Sequence, residues 1–218
     1  MMTSGVACMS LIVTNRQHLM PVSVPDWLLA RFEAIYKDPA HYEASYYGPV
    51  NMLLTCYFSA TDGFMVKPQA RLRDPPAPGA RTSIDSFGQD VGTHATDGNP
   101  DFLVSTGSAQ LNSDIPLLIW EVKKPEVSDE DAAKQMDRYI EWAKRYQRNL
   151  APEMKAVIWA MLVFGSQCRV FRLDPHSEFV NFYDGEQTTG DKVRQLLQSI
   201  RDKVINWLRI IWIKQWNI

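Results

Sequence analysis

The chain has 218 residues, of which 45% are hydrophobic and 22% charged, and its formal net charge is -2 at pH 7. This composition is typical of an ordinary globular protein, and the length suits one α/β domain spanning residues 1–218. The near-neutral charge argues against a protein that coats nucleic acid without specificity, because such proteins are usually strongly basic.

The cysteines and the terminal segments predict an intracellular protein that does not enter a membrane. Cys8, Cys56 and Cys168 are widely spaced and form no CxxC motif, which favours a reducing compartment over a disulfide framework or a zinc site. The first residues lack the pattern of a secretory signal. The apolar run at 204–216 is interrupted by Asn206, Arg209 and Lys214, and so falls short of a membrane span.

Two helices are predicted in the first third of the chain. After a loose lead-in at residues 1–22, a helix begins around Pro25-Asp26-Trp27 and ends at Lys37-Asp38-Pro39. A second helix begins near His41, with Glu43 in its opening turns. Beyond Pro49 its apolar residues follow helical spacing, which predicts a buried face.

Residues 61–100 are rich in turn signals, with short strands expected around 64–72 and 83–87. The Pro/Gly-rich segment and its flanks carry basic side chains that could contact backbone phosphates. An equally good interpretation is a solvated hairpin edge whose cations discourage aggregation. These side chains are Lys67, Arg71, Arg73 and Arg81.

Two apolar runs then each carry an acidic residue at a strand end. The first contains Pro100-Asp101, and the second reads Leu117-Leu118-Ile119-Trp120-Glu121-Val122-Lys123-Lys124. Because side chains two apart in a strand share a face, Glu121 and Lys123 project together while Val122 turns into the core. If the runs pair, two carboxylates and an ammonium converge. Such a group can bind a divalent metal and activate water against a phosphodiester.

The second half of the chain predicts a helix, further strands and a terminal helix. Ser128-Asp129-Glu130-Asp131 resembles a capping box that opens a helix running to about Asn149. The runs at 156–164 and 168–173 predict neighbouring strands, 178–183 adds an edge strand, and 188–216 forms the last helix. The expected fold is α/β, a mixed central sheet flanked by helices on both faces.

The order of these elements and their motifs resembles the PD-(D/E)xK nuclease superfamily, which has the restriction-endonuclease-like fold. The matching residues are Pro100-Asp101, Glu121-Val122-Lys123 and Gln135-Met136-Asp137-Arg138-Tyr139, the last similar to the Gln-x-x-x-Tyr helix of RecB-type exonucleases. The resemblance covers about residues 43–173 and implies an αβββαβ core.

The resemblance implies a Mg²⁺ site, with Mn²⁺ as a substitute. Asp101, Glu121 and the backbone carbonyl of Val122 would hold the cation, and Lys123 would orient or deprotonate the attacking water. Glu43 would be a further metal ligand, with Glu33 as its rival. A plain salt bridge from Lys123 to an acid is the structural alternative for that residue.

The same resemblance implies that Gln135 and Tyr139 line the site and help to hold substrate. The alternative is that Tyr139 packs with Trp142 and Tyr146 against the sheet while Gln135 is merely exposed. Lys124 would contact a phosphate beyond the strand end or be a plain surface residue.

The resulting hypothesis is a metal-dependent nuclease acting on DNA, with RNA not excluded and endonuclease not distinguished from exonuclease. A catalytically inactive nucleic-acid-binding or adaptor module of the same fold is the main alternative. A small-molecule enzyme is disfavoured because the chain has no Gly-rich phosphate loop and no Ser/His/Asp or Cys/His constellation. The terminal helix is expected to close the core, and burial against a second subunit in a homodimer is its alternative role.

Overall fold

The computed structural model describes residues 21–38, 44–70, 72, 98–107, 114–123, 127–164, 167–175, 180–183 and 190–216. The helices are α1 (Asp26–Lys37), α2 (Ala44–Tyr57), α3 (Asp129–Arg148) and α4 (Gly190–Trp216). The strands are β1 (Phe64–Pro68), β2 (Phe102–Thr106), β3 (Pro116–Lys123), β4 (Ile158–Phe164), β5 (Gln167–Leu173) and β6 (Val180–Tyr183). Short 3-10 helices occur at Ala60–Asp62 and Pro152–Met154.

Across the described residues the strands form one six-stranded sheet in sequence order, from β1 to β6. Neighbouring strands are antiparallel except β3 and β4, which are parallel and are joined by α3. A parallel pair needs such a crossover because the chain must return to the same end of the sheet. The elements α2-β1-β2-β3-α3-β4 follow the predicted αβββαβ order, and the α/β fold with a mixed sheet is confirmed.

The sheet buries both faces, as its strand sequences require. One face packs against apolar side chains of α1, α2 and α4, including Leu28, Leu54 and Ile200. The other face packs against α3, including Met136 and Tyr139. β3 lies between these layers, and its residues Pro116 to Val122 are all buried. A strand buried on both faces requires apolar side chains on both, which matches the continuous apolar run before Glu121.

The first strand is shorter than its sequence suggests. It ends at Pro68 rather than near Leu72, because proline has no N–H for the ladder and Gln69 adopts a positive φ of 48°. The chain nevertheless stays beside the segment before β2, where Gln69 N donates to Asp101 O at 2.8 Å and Leu72 N donates to Gly98 O at 3.1 Å. The lead-in up to residue 20, the predicted start of the second helix at 39–43 and the predicted strand at 83–87 lie outside the described residues.

The last helix packs on the sheet through its first half. Leu197, Ile200 and Val204 are buried in the core beside α1 and α2, which supports the interpretation of this helix as core closure. The side chains from residue 209 onward lie outside the described set, and homodimer formation stays a prediction. None of the helices in the described part of the chain is both long and apolar enough to cross a membrane.

The helix that carries two candidate site residues, α3, begins at a side-chain cap. Ser128 lies just before the helix, and its Oγ accepts from Asp131 N at 3.1 Å while donating to the Asp131 carboxylate at 2.7 Å. This satisfies one of the backbone donors that a helix N-terminus leaves without partners. The predicted start of this helix is therefore confirmed.

Replacing this cap should destabilise the fold without changing its core. Ser128→Ala should lower the free energy of unfolding by about 1 kcal/mol, which corresponds to a fall of roughly 2–4 °C in melting temperature for a chain of this size. Ser128→Thr keeps the hydroxyl and should melt close to the wild type. Equal melting temperatures for Ser128→Ala and wild type, measured by circular dichroism, would contradict this role of the cap.

Candidate active site

The register of β2 against β3 brings the two predicted acids together. Phe102 pairs with Trp120 in this antiparallel ladder, so Asp101, just before β2, lies opposite Glu121 near the end of β3. Each carboxylate accepts a hydrogen bond from the backbone of the other segment. Asp101 N donates to Glu121 Oε2 at 3.2 Å, and Val122 N donates to Asp101 Oδ2 at 2.7 Å. The side chains are almost closed to solvent, since Asp101 is 8% and Glu121 2% exposed.

Lys123 joins this pair in the way its strand position predicts. It lies two residues after Glu121, on the same face of β3, and its Nζ lies 2.5 Å from Glu121 Oε1. Val122 between them is buried in the opposite core layer. The contact is the salt bridge that a structural role alone would also give, so it brings Lys123 to the site without deciding its function.

The Gln-x-x-x-Tyr pair on α3 also reaches Glu121. Gln135 Nε2 donates to Glu121 Oε1 at 2.7 Å and to the Tyr139 hydroxyl at 2.6 Å. Tyr139 donates in turn to Glu121 Oε2, at the longer distance of 3.4 Å. Tyr139 is fully buried in the core layer that also contains Trp142, so it packs against the sheet and also contacts the acid. Gln135 is not merely exposed.

The electrostatics reflect this concentration of buried charge. Burial, followed by the negative charge of Asp101, raises the pKa of Glu121 above its usual value, while Lys123 opposes that shift. Burial and then the charge of Glu121 raise the pKa of Tyr139, so its phenol stays protonated and can donate at neutral pH. Among the described residues, the site therefore brings together two acids at close range, one ammonium and several neutral donors.

Tyr47 is a site residue that the sequence did not single out. It lies in the first turn of α2, and its hydroxyl donates to Asp101 Oδ1 at 2.6 Å. Its ring packs edge-on against Phe102, with centroids 5.9 Å apart and planes at 87°. Sequence periodicity places both Tyr46 and Tyr47 on this helix, and nothing in the pattern distinguishes the one that faces the acid.

Other predicted site residues are not brought to this cluster by the described structure. Glu43, Lys124 and Arg81 lie outside the described residues, as do Arg71 and Arg73. Two further candidates can be located. Glu33 is an exposed residue of α1. Lys67 forms a 2.6 Å ion pair with Asp114.

The donor set fits a hard divalent cation. Asp101 and Glu121 supply carboxylate oxygens, the ligands that Mg²⁺ and Mn²⁺ prefer, and the charge of Asp101 disfavours ionisation of the buried Glu121. The Lys123 ammonium already binds Glu121 Oε1, so this oxygen attracts positive charge. Within the described ranges, however, no group of three or more His, Cys, Asp or Glu side chains could hold a metal ion.

Comparisons with known proteins leave the family open. No protein-family model matches the chain, and no curated protein matches it. A solved structure described as a cryoEM structure of a DrdV–DNA complex is similar over 78% of this chain and 92% of that chain, with 14% sequence identity and a TM-score of 0.39. Similarity at this level is too low to support a fold or function, so the site is interpreted from its own geometry.

Gly98 lies close against the ring of Tyr139. It precedes Asp101 by three residues and has a φ of +126°, a region that side-chain-bearing residues rarely adopt. A Cβ at this position would lie 2.5 Å from Tyr139 Cε1. Position 98 therefore requires glycine, both for its backbone conformation and for the close approach of the Tyr139 ring.

Adding a methyl group at Gly98 should displace the Tyr139 ring and strain the backbone at this positive φ. Gly98→Ala should lower the free energy of unfolding by about 1–3 kcal/mol, measured by urea denaturation. Gly107→Ala is the matched control, since its Cβ would meet Gly63 O at an ordinary contact distance of 3.5 Å. That control should change stability by no more than about 0.5 kcal/mol. Equal effects from the two substitutions would disprove the close-approach role of Gly98.

Proposed function

We propose that this protein is a Mg²⁺-dependent nuclease of the PD-(D/E)xK type that hydrolyses phosphodiester bonds of DNA. The observation that carries the proposal is the reciprocal backbone bonding of Asp101 and Glu121, with Lys123 at 2.5 Å from the second acid. A buried acid pair that serves stability alone is costly, because desolvation and mutual repulsion both oppose it. Its presence at the end of two strands therefore supports a binding role.

Asp101, Glu121 and the carbonyl of Val122 would hold the cation. A bound Mg²⁺ supplies Lewis-acid charge that favours attack on the phosphodiester at neutral pH. During hydrolysis the oxygen of a water forms a new bond to phosphorus and one bridging P–O bond breaks. The leaving oxygen takes up a proton and departs as an alcohol.

Lys123 would orient or deprotonate the attacking water and balance the charge that builds on the phosphoryl oxygens. Lysine suits the deprotonation because its ammonium can lose a proton, whereas a guanidinium remains charged. Gln135 would keep Glu121 oriented through its 2.7 Å bond to Oε1. Gln135 lies on α3, which packs on the sheet, so the packing of α3 helps to set the orientation of the Glu121 carboxylate.

A catalytically inactive nucleic-acid-binding module is the main alternative. The two proposals differ in whether the acids are needed for turnover or only for structure.

Substitution of the acids and the lysine should abolish cleavage of single-stranded or duplex DNA in Mg²⁺. Asp101→Asn and Glu121→Gln should remove detectable turnover, and Lys123→Ala should lower kcat about 10²- to 10⁴-fold. Lys123→Arg keeps the positive charge but cannot readily lose a proton. It should lose cleavage activity to the same extent as Lys123→Ala, whereas an active Lys123→Arg variant would show that the lysine acts only as a salt-bridge partner.

Lys134→Ala is the control for this series, because Lys134 is an exposed residue of α3 paired with Glu130. It should cleave at the wild-type rate. Metal-dependent cleavage that persists in Asp101→Asn, Glu121→Gln and Lys123→Ala would refute the assignment. A wild type that binds DNA without any turnover in Mg²⁺ or Mn²⁺ would favour the inactive module.

Cation binding should also raise the thermal stability of the DNA-free protein. At a hundredfold excess over Kd, a ligand that binds only the folded state stabilises it by about 2.7 kcal/mol, or roughly 5–10 °C in melting temperature at this chain length. Mg²⁺ or Mn²⁺ should give this shift in the wild type, and Asp101→Asn and Glu121→Gln should lose it. An equal shift in all three proteins would place the cation elsewhere.

A further inference from the structure

The phenol of Tyr47 reaches the acid pair from the helix layer opposite α3. Its ring is held by the edge-on contact with Phe102, the residue that follows Asp101. Phe102 is itself 1% exposed and lies in the core layer beneath α2. This contact places the ring beside the start of β2, and its hydroxyl donates to Asp101 Oδ1 at 2.6 Å.

Two of the donors to the Asp101 carboxylate come from different elements and reach different oxygens. Val122 N, on β3, bonds Oδ2 at 2.7 Å, whereas Tyr47, on α2, bonds Oδ1. The torsion that rotates an aspartate carboxylate is broad and soft, since it joins an sp³ to an sp² carbon. One hydrogen bond leaves such a group free to swing about the bonded oxygen, and a second bond on the other oxygen fixes its plane.

A tyrosine hydroxyl thus donates a hydrogen bond to each of the two carboxylates, and the two tyrosines lie on helices at different faces of the sheet. Tyr47 contacts Asp101 from α2, and Tyr139 contacts Glu121 from α3. The Tyr139 bond is supplemented by Gln135 and Lys123, which both contact Glu121 Oε1. A neutral phenol orients a carboxylate without cancelling its charge, so the acid keeps its attraction for a cation.

We propose that Tyr47 is a positioning residue that fixes the Asp101 carboxylate for a small divalent cation. This inference rests on the proposed function, because it concerns the same cation site. Mg²⁺ requires near-ideal octahedral geometry at short ligand distances, whereas Ca²⁺ accepts longer and irregular coordination. Loosening one carboxylate should therefore weaken Mg²⁺ binding much more than Ca²⁺ binding. Groups that orient a metal ligand typically change affinity by 10- to 100-fold.

The test measures the binding of Mg²⁺ and Ca²⁺ separately by titration calorimetry on the whole chain without DNA. Tyr47→Phe keeps the ring and its contact with Phe102 but removes the hydroxyl. Tyr57→Phe is the matched control, because Tyr57 is a buried tyrosine of the same helix, ten residues and about 15 Å further along. Far-UV circular dichroism verifies the fold of each variant.

Tyr47→Phe should bind Mg²⁺ about 10- to 100-fold more weakly than wild type, with a clearly smaller change for Ca²⁺. Tyr57→Phe should bind both cations like wild type. Cleavage by Tyr47→Phe should fall at limiting Mg²⁺ and recover at saturating Mg²⁺. This recovery separates positioning from direct participation in the reaction.

Two results would overturn the inference while leaving the proposed function intact. In one, Tyr47→Phe binds Mg²⁺ as tightly as wild type. In the other, Tyr47→Phe binds Mg²⁺ and Ca²⁺ more weakly by the same factor, as a general loss of packing would produce. If the wild type binds neither cation, or Asp101→Asn binds them unchanged, the proposed cation site fails and this inference fails with it.

Discussion

Two short backbone segments exchange hydrogen bonds with each other's acids, and the candidate site depends on this exchange. Asp101 N donates to the Glu121 carboxylate, and Val122 N donates to the Asp101 carboxylate. Moving either carboxylate would therefore break a hydrogen bond to a backbone amide of the other segment. The exchange is possible because the antiparallel register of β2 and β3 places Phe102 beside Trp120. A one-residue slip would turn these side chains to the opposite faces of the sheet. The buried apolar residues on both faces therefore fix the site geometry as well as the fold.

Charge balance is the second requirement of this arrangement. Two acids of 8% and 2% exposure are costly to bury, and the surrounding donors offset part of that cost. Lys123 supplies a positive charge in contact with Glu121, while Gln135 and Tyr139 supply neutral donors from α3. Burial, followed by the charge of Asp101, raises the pKa of Glu121 above its usual value, and Lys123 opposes that shift. The proposed divalent cation, bound by both carboxylates, would add further positive charge.

Sequence patterns predict the features that depend on residues close to each other along the chain. The apolar run of β3, the Ser128 cap and the alternation that puts Glu121 and Lys123 on one face all depend on near neighbours, so they were recognisable in the sequence. The contact of Tyr47 with Asp101 depends on how α2 lies against the sheet, and the close approach of Gly98 to Tyr139 depends on how the segment before β2 lies against α3. Neither arrangement can be read from residue spacing. The end of β1 at Pro68 was missed because the apolar pattern continues to Leu72, which is buried without belonging to the strand. The roles of Glu43, Lys124 and Arg81 and the single-domain organisation remain predictions.

The central claim is that Asp101 and Glu121 together hold one divalent cation. It is tested most directly by anomalous diffraction from crystals of the protein grown with Mn²⁺. The account predicts an anomalous peak with carboxylate oxygens of both Asp101 and Glu121 within ligand distance, about 2.0–2.6 Å by analogy with Mg²⁺ and Ca²⁺ sites. A peak bound by neither acid, or Mn²⁺ absent from this position while the Lys123 ammonium remains on Glu121 Oε1, would contradict it.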